Sequence, residues 1–239
     1  GGTTFSYQGI QPGDSTSYSF VIPMGVTDEA QIKLVAIDNF ENEGEGVSDL
    51  FSVTDNTPPE VTISTPGIAE TGVVTSVNWE ASDNTGFRSH HLYLSVDSGQ
   101  TFVLIDSTSG ESSSFSWNVP DSVVSNVCLL KIISYDLVNL SAADTSGVFS
   151  IIDVIPPQVS TLEPQSGFSI SEYDSLTVEW TATDNIGIDS VKVFYSNDGG
   201  VEYVLMGSLA SPTADSLVFE IPAGVTSSAK VKILALDAY

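Results

Sequence analysis

The sequence predicts an all-β chain, a tandem array of two-sheet sandwich modules. Three observations carry that expectation: short apolar runs broken by turn residues, self-similarity with a period near 100 residues, and no helical stripe. The apolar residues are mostly Val, Ile, Leu, Phe and Tyr, set between Ser, Thr, Gly, Asp and Pro, which is strand composition with frequent turns. No stretch of 10–14 residues repeats apolar positions at i, i+3, i+4 and i+7, and no run approaches the 18 apolar residues of a membrane-spanning helix. Hydrophobic residues make up 41% of the 239, enough to build packed cores.

The period comes from three recurring segments. Val77-Asn78-Trp79-Glu80-Ala81-Ser82-Asp83-Asn84-Thr85-Gly86 matches Val178-Glu179-Trp180-Thr181-Ala182-Thr183-Asp184-Asn185-Ile186-Gly187. A hairpin follows, Ser95-Val96-Asp97-Ser98-Gly99-Gln100-Thr101-Phe102 against Ser196-Asn197-Asp198-Gly199-Gly200-Val201-Glu202-Tyr203. Phe20-Val21-Ile22-Pro23, Trp117-Asn118-Val119-Pro120 and Phe219-Glu220-Ile221-Pro222 then each lead into an alternating strand: Ile32–Asp38, Leu130–Asp136 and Val231–Asp237. Phe5 stands 97 residues before Phe102, and Phe102 stands 101 before Tyr203. That is the size of a sandwich of about seven strands rather than a solenoid turn. Asp55-Asn56-Thr57-Pro58-Pro59 and Asp153-Val154-Ile155-Pro156-Pro157 join the units, and paired prolines stiffen an extended crossing.

The expected units are residues 1–55, the C-terminal half of a sandwich; 56–153, a complete one; and 154–239, one lacking its last strand. The chain opens on Gly1-Gly2 without an initiator Met or signal peptide, so a fragment or processed product is expected. Gly1-Gly2-Thr3-Thr4-Phe5 aligns with Gly199–Tyr203, and Asp237-Ala238-Tyr239 with Asp38-Asn39-Phe40. A half-sandwich leaves a raw edge and an uncovered apolar face, so the expected partners are adjacent repeats of the same or a neighbouring chain, assembling as a fibre. In the middle unit the expected strands are Glu60–Ser64, Val73–Ala81 with Trp79 inward, Leu92–Ser95, Thr101–Ile105, Ser114–Val119, Val127–Tyr135 and Val148–Ile152. This order and these lengths resemble the bacterial immunoglobulin-like and fibronectin type III-like tandem repeats of surface and secreted proteins. The fold class is therefore all-β, tandem immunoglobulin-like sandwiches with incomplete domains at both ends.

Charge narrows the partners. Against 31 acidic residues stand six basic ones, a formal charge of −25, and Arg88 is the single arginine. Nucleic acid and anionic membranes need clustered Lys and Arg, so neither is an expected partner, and direct membrane insertion is not expected either. A strongly negative field favours cations and solubility. Cys128 sits alone in the run Val127-Cys128-Leu129-Leu130, so an intrachain disulfide is ruled out and a packed strand position is expected.

The hairpins Ser95-x-Asp97-x-Gly99-x-x-Phe102 and Ser196-x-Asp198-x-Gly200-x-x-Tyr203 resemble the Asp-box of sialidases and related β-propellers. Sialidase chemistry needs several arginines for a substrate carboxylate, and this chain has one. The motif is read as a turn stabiliser, Asp capping amides and Gly supplying positive φ.

A second constellation is positional. In an immunoglobulin-like sandwich the B–C loop, the F–G loop and the incoming linker share one pole. There stand Asp83, Asn84, Asp136 and Asp55 with Asn56; in the next unit Asp184, Asn185, Asp237 and Asp153; the first unit's F–G turn adds Glu41, Glu43 and Glu45. Hard oxygen donors converging at a junction suit Ca²⁺, which takes 6–8 oxygens, loosely as at cadherin junctions. The competing expectation is that these Asp and Asn only cap turns.

The remaining candidates read as structure. Alternation puts Lys33, Lys131 and Lys232 on an outer face, which argues against an isopeptide crosslink. His90 and His91 are adjacent, hence on opposite faces, and do not form a metal pair. Trp79, Trp180 and Trp117, the last replaced by Phe20 and Phe219, are core positions. Asn139-Leu140-Ser141 fits a short glycosylation sequon. No catalytic set is repeated and no enzyme is expected. The chain reads as a spacer, stalk or fibre-forming segment of an extracellular or cell-surface protein; the alternative is an adhesin or a carbohydrate- or protein-binding accessory module of a secreted enzyme.

Overall fold

The computed structural model describes residues 4–23, 25–210 and 215–238. Gly1, Gly2 and Thr3, read as the opening of a hairpin, and Tyr239, aligned with Phe40, lie outside the described residues. Every regular element among the described residues is a strand, and none is a helix long and apolar enough to cross a membrane.

The first segment contributes β1 (Thr27–Ala30), β2 (Lys33–Ile37), β3 (Glu43–Val47) and β4 (Phe51–Val53), with β1 paired to β4 and β2 to β3. The middle unit follows with β5 (Glu60–Ile63), β6 (Ala69–Glu70), β7 (Val74–Ser82), β8 (Phe87–Ser95), β9 (Val103–Ser109), β10 (Ser114–Asn118), β11 (Ser125–Asp136), β12 (Ser141–Thr145) and β13 (Phe149–Ile152). The last unit holds β14 (Gln158–Glu163), β15 (Ser175–Thr183), β16 (Ile188–Ser196), β17 (Val204–Leu209), β18 (Ser216–Glu220) and β19 (Lys230–Asp237).

The middle unit is a two-sheet sandwich of immunoglobulin-like order. One sheet runs β10-β7-β5; the other runs β6-β13-β11-β8-β9, with β12 also on β11, and β6 lies parallel to β13. The last unit repeats the plan with β14-β15-β18 facing β17-β16-β19. Each of these two units closes its own apolar core. Trp79, Leu92, Trp117, Leu130 and Ile132 fill the first; Val178, Trp180, Val191, Val193 and Phe219 fill the second. A side chain so buried contributes roughly 1.5–3 kcal/mol.

The repeat extends to register. Thr27 pairs with Val53, Ala30 with Phe51 and Lys33 with Val47; 98 positions later Ser125 pairs with Ile151, Cys128 with Phe149 and Lys131 with Thr145. The same pairing has different cover. Cys128, Leu130 and Ile132 are wholly buried, whereas at the equivalent places Ile32 is 46% and Leu34 70% exposed.

Four features differ from the expectation. β8 begins at Phe87 rather than Leu92, because Phe87-Arg88-Ser89-His90-His91 carries little apolar alternation yet pairs with β9 and β11 along that length. β12, Ser141-Ala142-Ala143-Asp144-Thr145, is small and polar and was not expected as a strand; it is an outer strand held by β11. β6, two residues long, was also unforeseen. Glu43 and Glu45, expected in the F–G turn, lie on β3, where Glu45 pairs with Lys33; Glu41 holds the turn itself with φ 66.

The two Asp-box hairpins are turn stabilisers, as the residue types require. Gly99 and Gly200 amides donate to Ser95 Oγ and Ser196 Oγ, both at 2.8 Å, and these hydroxyls donate to Asp97 at 2.6 Å and Asp198 at 2.7 Å. Ser95 and Thr101 hold the Asp97 carboxyl down at about 2.

His90 and His91 separate as strand neighbours should. His91 stacks on Tyr135 at 5.0 Å, while His90 is 1% exposed, with Nδ1 2.8 Å from Ser134 Oγ and Nε2 3.2 Å from Gly110 O. A carbonyl accepts only, so Nε2 carries the proton and Ser134 donates to Nδ1. Burial lowers the His90 pKa below the ordinary 6.5. The unfolded chain therefore takes this proton first, so stability is full above pH 6.5 and falls below it. Thermal melts between pH 7.5 and 5.5 should show a loss that is smaller in His90→Gln; identical slopes would remove His90 from the account.

Candidate functional site

The polar groups of the first junction are placed by strand ends. Asp55 lies on the linker after β4, Asp83 and Asn84 on the turn between β7 and β8, and Asp136 at the last position of β11. Strand parity fixes Asp136. Cys128, Leu130, Ile132, Ser134 and Asp136 alternate onto the inward face, and all five are 0% exposed. A carboxylate thus closes the end of an apolar core.

Asp83 and Asp136 each have one oxygen in a structural task and one without a partner, whereas both oxygens of Asp55 accept hydrogen bonds. Asp83 Oδ2 accepts the Thr85 amide at 2.7 Å, its hydroxyl at 2.8 Å and the Gly86 amide at 2.9 Å. Asp136 Oδ1 accepts the amides of Val138 at 2.9 Å and Leu140 at 2.8 Å. Asp55 takes Asn84 Nδ2 at 3.0 Å and Thr85 Oγ1 at 2.9 Å, and the Asn84 bond leads in lowering its pKa. The three carboxylates converge. One oxygen from each of Asp55, Asp83 and Asp136 lies within 4.8 Å of the other two, while Asp83 Oδ1 and Asp136 Oδ2 are buried without a hydrogen-bond partner. Three like charges so placed repel, and an unsatisfied buried carboxylate oxygen is costly. Among the described residues no other such carboxylate group occurs.

The first unit shows what a satisfied version looks like. Asp38, the equivalent of Asp136, accepts the amides of Phe40 at 2.8 Å and Asn42 at 2.9 Å, and its Oδ2 takes Asn42 Nδ2 at 2.9 Å. In the middle unit Leu140 stands where Asn42 stands, so no side-chain donor reaches Asp136 Oδ2.

The second junction is a clamp. Asp153 Oδ1 accepts Thr71 Oγ1 at 2.7 Å, from the middle unit, and Asn185 Nδ2 at 3.0 Å, from the last. Asn185 Nδ2 also reaches Asp121 O at 2.7 Å. Burial raises the Asp153 pKa, but the Asn185 and Thr71 bonds outweigh it and the net shift is downward. Ile186 replaces Thr85 here, and Asp153 Oδ2, Asp184 Oδ1 and Asn185 Oδ1 stay buried and unpartnered. Asp184 Oδ2 caps Ile186 and Gly187; Asp237 ends β19, half-buried and in register with Ile188.

Sequence reasoning did not single out Thr85, Thr71 or Asp121 at these junctions. Nor did it link the strand lysines to the hairpin aromatics. Lys33 lies 5.9 Å from the Phe5 ring, Lys131 5.5 Å from Phe102, and Lys232 4.6 Å from Tyr203 and 4.7 Å from Phe194. Both partners recur in each unit, so the shared spacing was the available signal; such contacts contribute about 0.5–1 kcal/mol at exposed sites.

Residues 157–228 match the family model of the bacterial Ig domain. No curated protein matches the chain. Among solved structures, the fibronectin(III)-like modules of Clostridium thermocellum CbhA align at 18% identity and TM-score 0.32, over 75% of this chain and 86% of that one. A tetra-tandem repeat from the extending region of a large adhesion protein aligns at 15% identity and TM-score 0.36, over 87% of this chain and 56% of that one. A structure concerned with host cell surface retention of a 1.5-MDa bacterial ice-binding adhesin aligns at 8% identity and TM-score 0.29, covering 76% and 55%.

Proposed function

We propose that this chain, whose last unit carries a bacterial Ig domain match, is a spacer segment of an extracellular or cell-surface protein that holds other parts at a set distance and angle. One observation carries the reading: each linker aspartate is bonded to the turn that opens the next sandwich. Asp55 holds Asn84 and Thr85, and Asp153 holds Asn185 while taking Thr71 from the preceding unit. Pro58-Pro59 and Pro156-Pro157 stiffen the same crossings, and Pro59 is buried. A linker built this way transmits orientation, where a Gly- or Ser-rich one would let the units tumble. Adjacent repeats are the partners this reading supplies, and the acidic surface limits nonspecific association.

Small-angle scattering of the whole chain tests it. The expected profile is that of an extended particle with one dominant inter-unit geometry. Asn185→Ala, which removes the donor to both Asp153 and Asp121, should broaden the distance distribution without lowering the melting temperature of either core by more than a degree or so. Superimposable profiles would mean that the linker bond does not set the geometry.

One observation favours a binding role as the second reading. Val103 and Leu104 on β9 are 70% and 52% exposed, and Val204 and Leu205 repeat them on β17 at 62% and 51%. In the middle unit they border an open cleft with Phe115 and Pro120. An adhesin or accessory module would use such a face, and saturable capture of one glycan or peptide class on an array, lost in Leu104→Ser, would favour it over a spacer.

A further inference from the structure

We infer that Asp55, Asp83 and Asp136 form a calcium site at the junction leading into the middle sandwich. The grouping of three carboxylates is the first observation and is not sufficient alone. The second is Asp136 itself: fully buried, with Oδ1 occupied by two amides and Oδ2 free of any hydrogen bond while its carboxylate joins the other two. A buried carboxylate oxygen left so normally protonates, finds a donor or meets a cation. No donor is supplied, since Leu140 occupies the place from which Asn42 serves Asp38. Asp83, a second carboxylate of the group, likewise has its Oδ1 buried without a hydrogen-bond partner.

The chemistry selects a hard cation. All the donors are oxygen, with no His or Cys in the group, which disfavours zinc and copper. Three carboxylates with mixed solvent access suit Ca²⁺, whose coordination is irregular and six- to eight-fold, better than Mg²⁺, which demands a near-ideal octahedron and keeps its waters. The donors come from the linker (Asp55), the turn after β7 (Asp83) and the end of β11 (Asp136), so one ion ties the linker to both sheets of the sandwich. The inference does not depend on the spacer reading, because ion binding is measured directly.

The test is calorimetric titration of the chelator-treated chain with CaCl₂ in roughly 0.15 M NaCl, close to physiological ionic strength. The expected result is a saturable heat with a Kd on the order of 10⁻⁴ to 10⁻³ M, the range of extracellular modules. Asp136→Asn keeps the side-chain volume and the Oδ1 cap and should weaken that binding at least tenfold, with the calcium-induced rise in melting temperature lost. Should Asp136→Asn fail to fold, Asp55→Asn on the linker carries the same expectation. A heat that never saturates, that salt abolishes, or that is unchanged in both variants would identify diffuse counterions around a −25 chain and overturn the site. Equal affinity for MgCl₂ would overturn the assignment to calcium.

Discussion

Replacing Trp180 with alanine should destabilise the last sandwich by about 3–5 kcal/mol, the range for deleting a buried aromatic and leaving a cavity. Trp180 is 1% exposed and packs in the core containing Val178, Val191, Val193 and Phe219. That core shares no residue with the one around Trp79 and Trp117, so the damage should stay local. The variant supplies its own control. Its two remaining tryptophans both lie in the middle unit, and tryptophan fluorescence then reports that unit alone. In a denaturant titration the fluorescence transition should stay in place while far-ultraviolet circular dichroism gains an earlier component. If both signals shift together, the units unfold as one cooperative body.

Gly110→Ala should cost on the order of 3 kcal/mol or more, because overpacking that cannot be relieved by a side chain must move backbone. A Cβ at residue 110 would stand 2.1 Å from the carbonyl oxygen of Phe87 and 2.4 Å from its carbon. Phe87 begins β8, so relief displaces that strand's start. The same shift breaks the Gly110 amide bond to Arg88 O and the Gly110 carbonyl's bond from His90 Nε2. Gly67→Ala, with nothing within 4 Å of the added carbon, is the matched control and should leave the melting temperature alone. Equal melting temperatures for the two variants would show that the β8 start yields freely.

What was readable in advance follows from how each feature is encoded. The tryptophans announced their own burial: Trp79 and Trp180 stand at one place in a repeated segment, and a repeated large apolar residue between polar neighbours is an inward strand position. The Asp-box turns were readable for a related reason, since Ser, Asp and Gly at those spacings satisfy one another locally. β12 was not, because Ala142-Ala143-Asp144 is made a strand by the ladder of β11 and by Asp144, which accepts the Ile63 amide at 2.8 Å across the unit. The first half of β8 is likewise defined by its two partners rather than by its own pattern. At the junction, sequence spacing brings Asp55, Asp83 and Asp136 into consideration. It does not say which oxygen of each is already occupied; at Asp136 that depends on Leu140 standing where Asn42 serves Asp38 in the first unit, and at Asp55 and Asp83 on the reach of the Thr85 hydroxyl, contacts that need coordinates.

The placement of the cationic side chains has one more effect. Lys33, Arg88, Lys131, Lys192, Lys230 and Lys232 are all the basic residues of the chain, and each lies within a strand: β2, β8, β11, β16 and, for the last two, β19. A protease that cuts after lysine or arginine requires an extended, unpaired stretch of chain in its cleft, so at every one of these bonds it must wait for a ladder to open. The loops, where such enzymes ordinarily attack, hold none of the six lysine and arginine residues. The chain thereby keeps its vulnerable bonds where unfolding, rather than encounter, limits the cut.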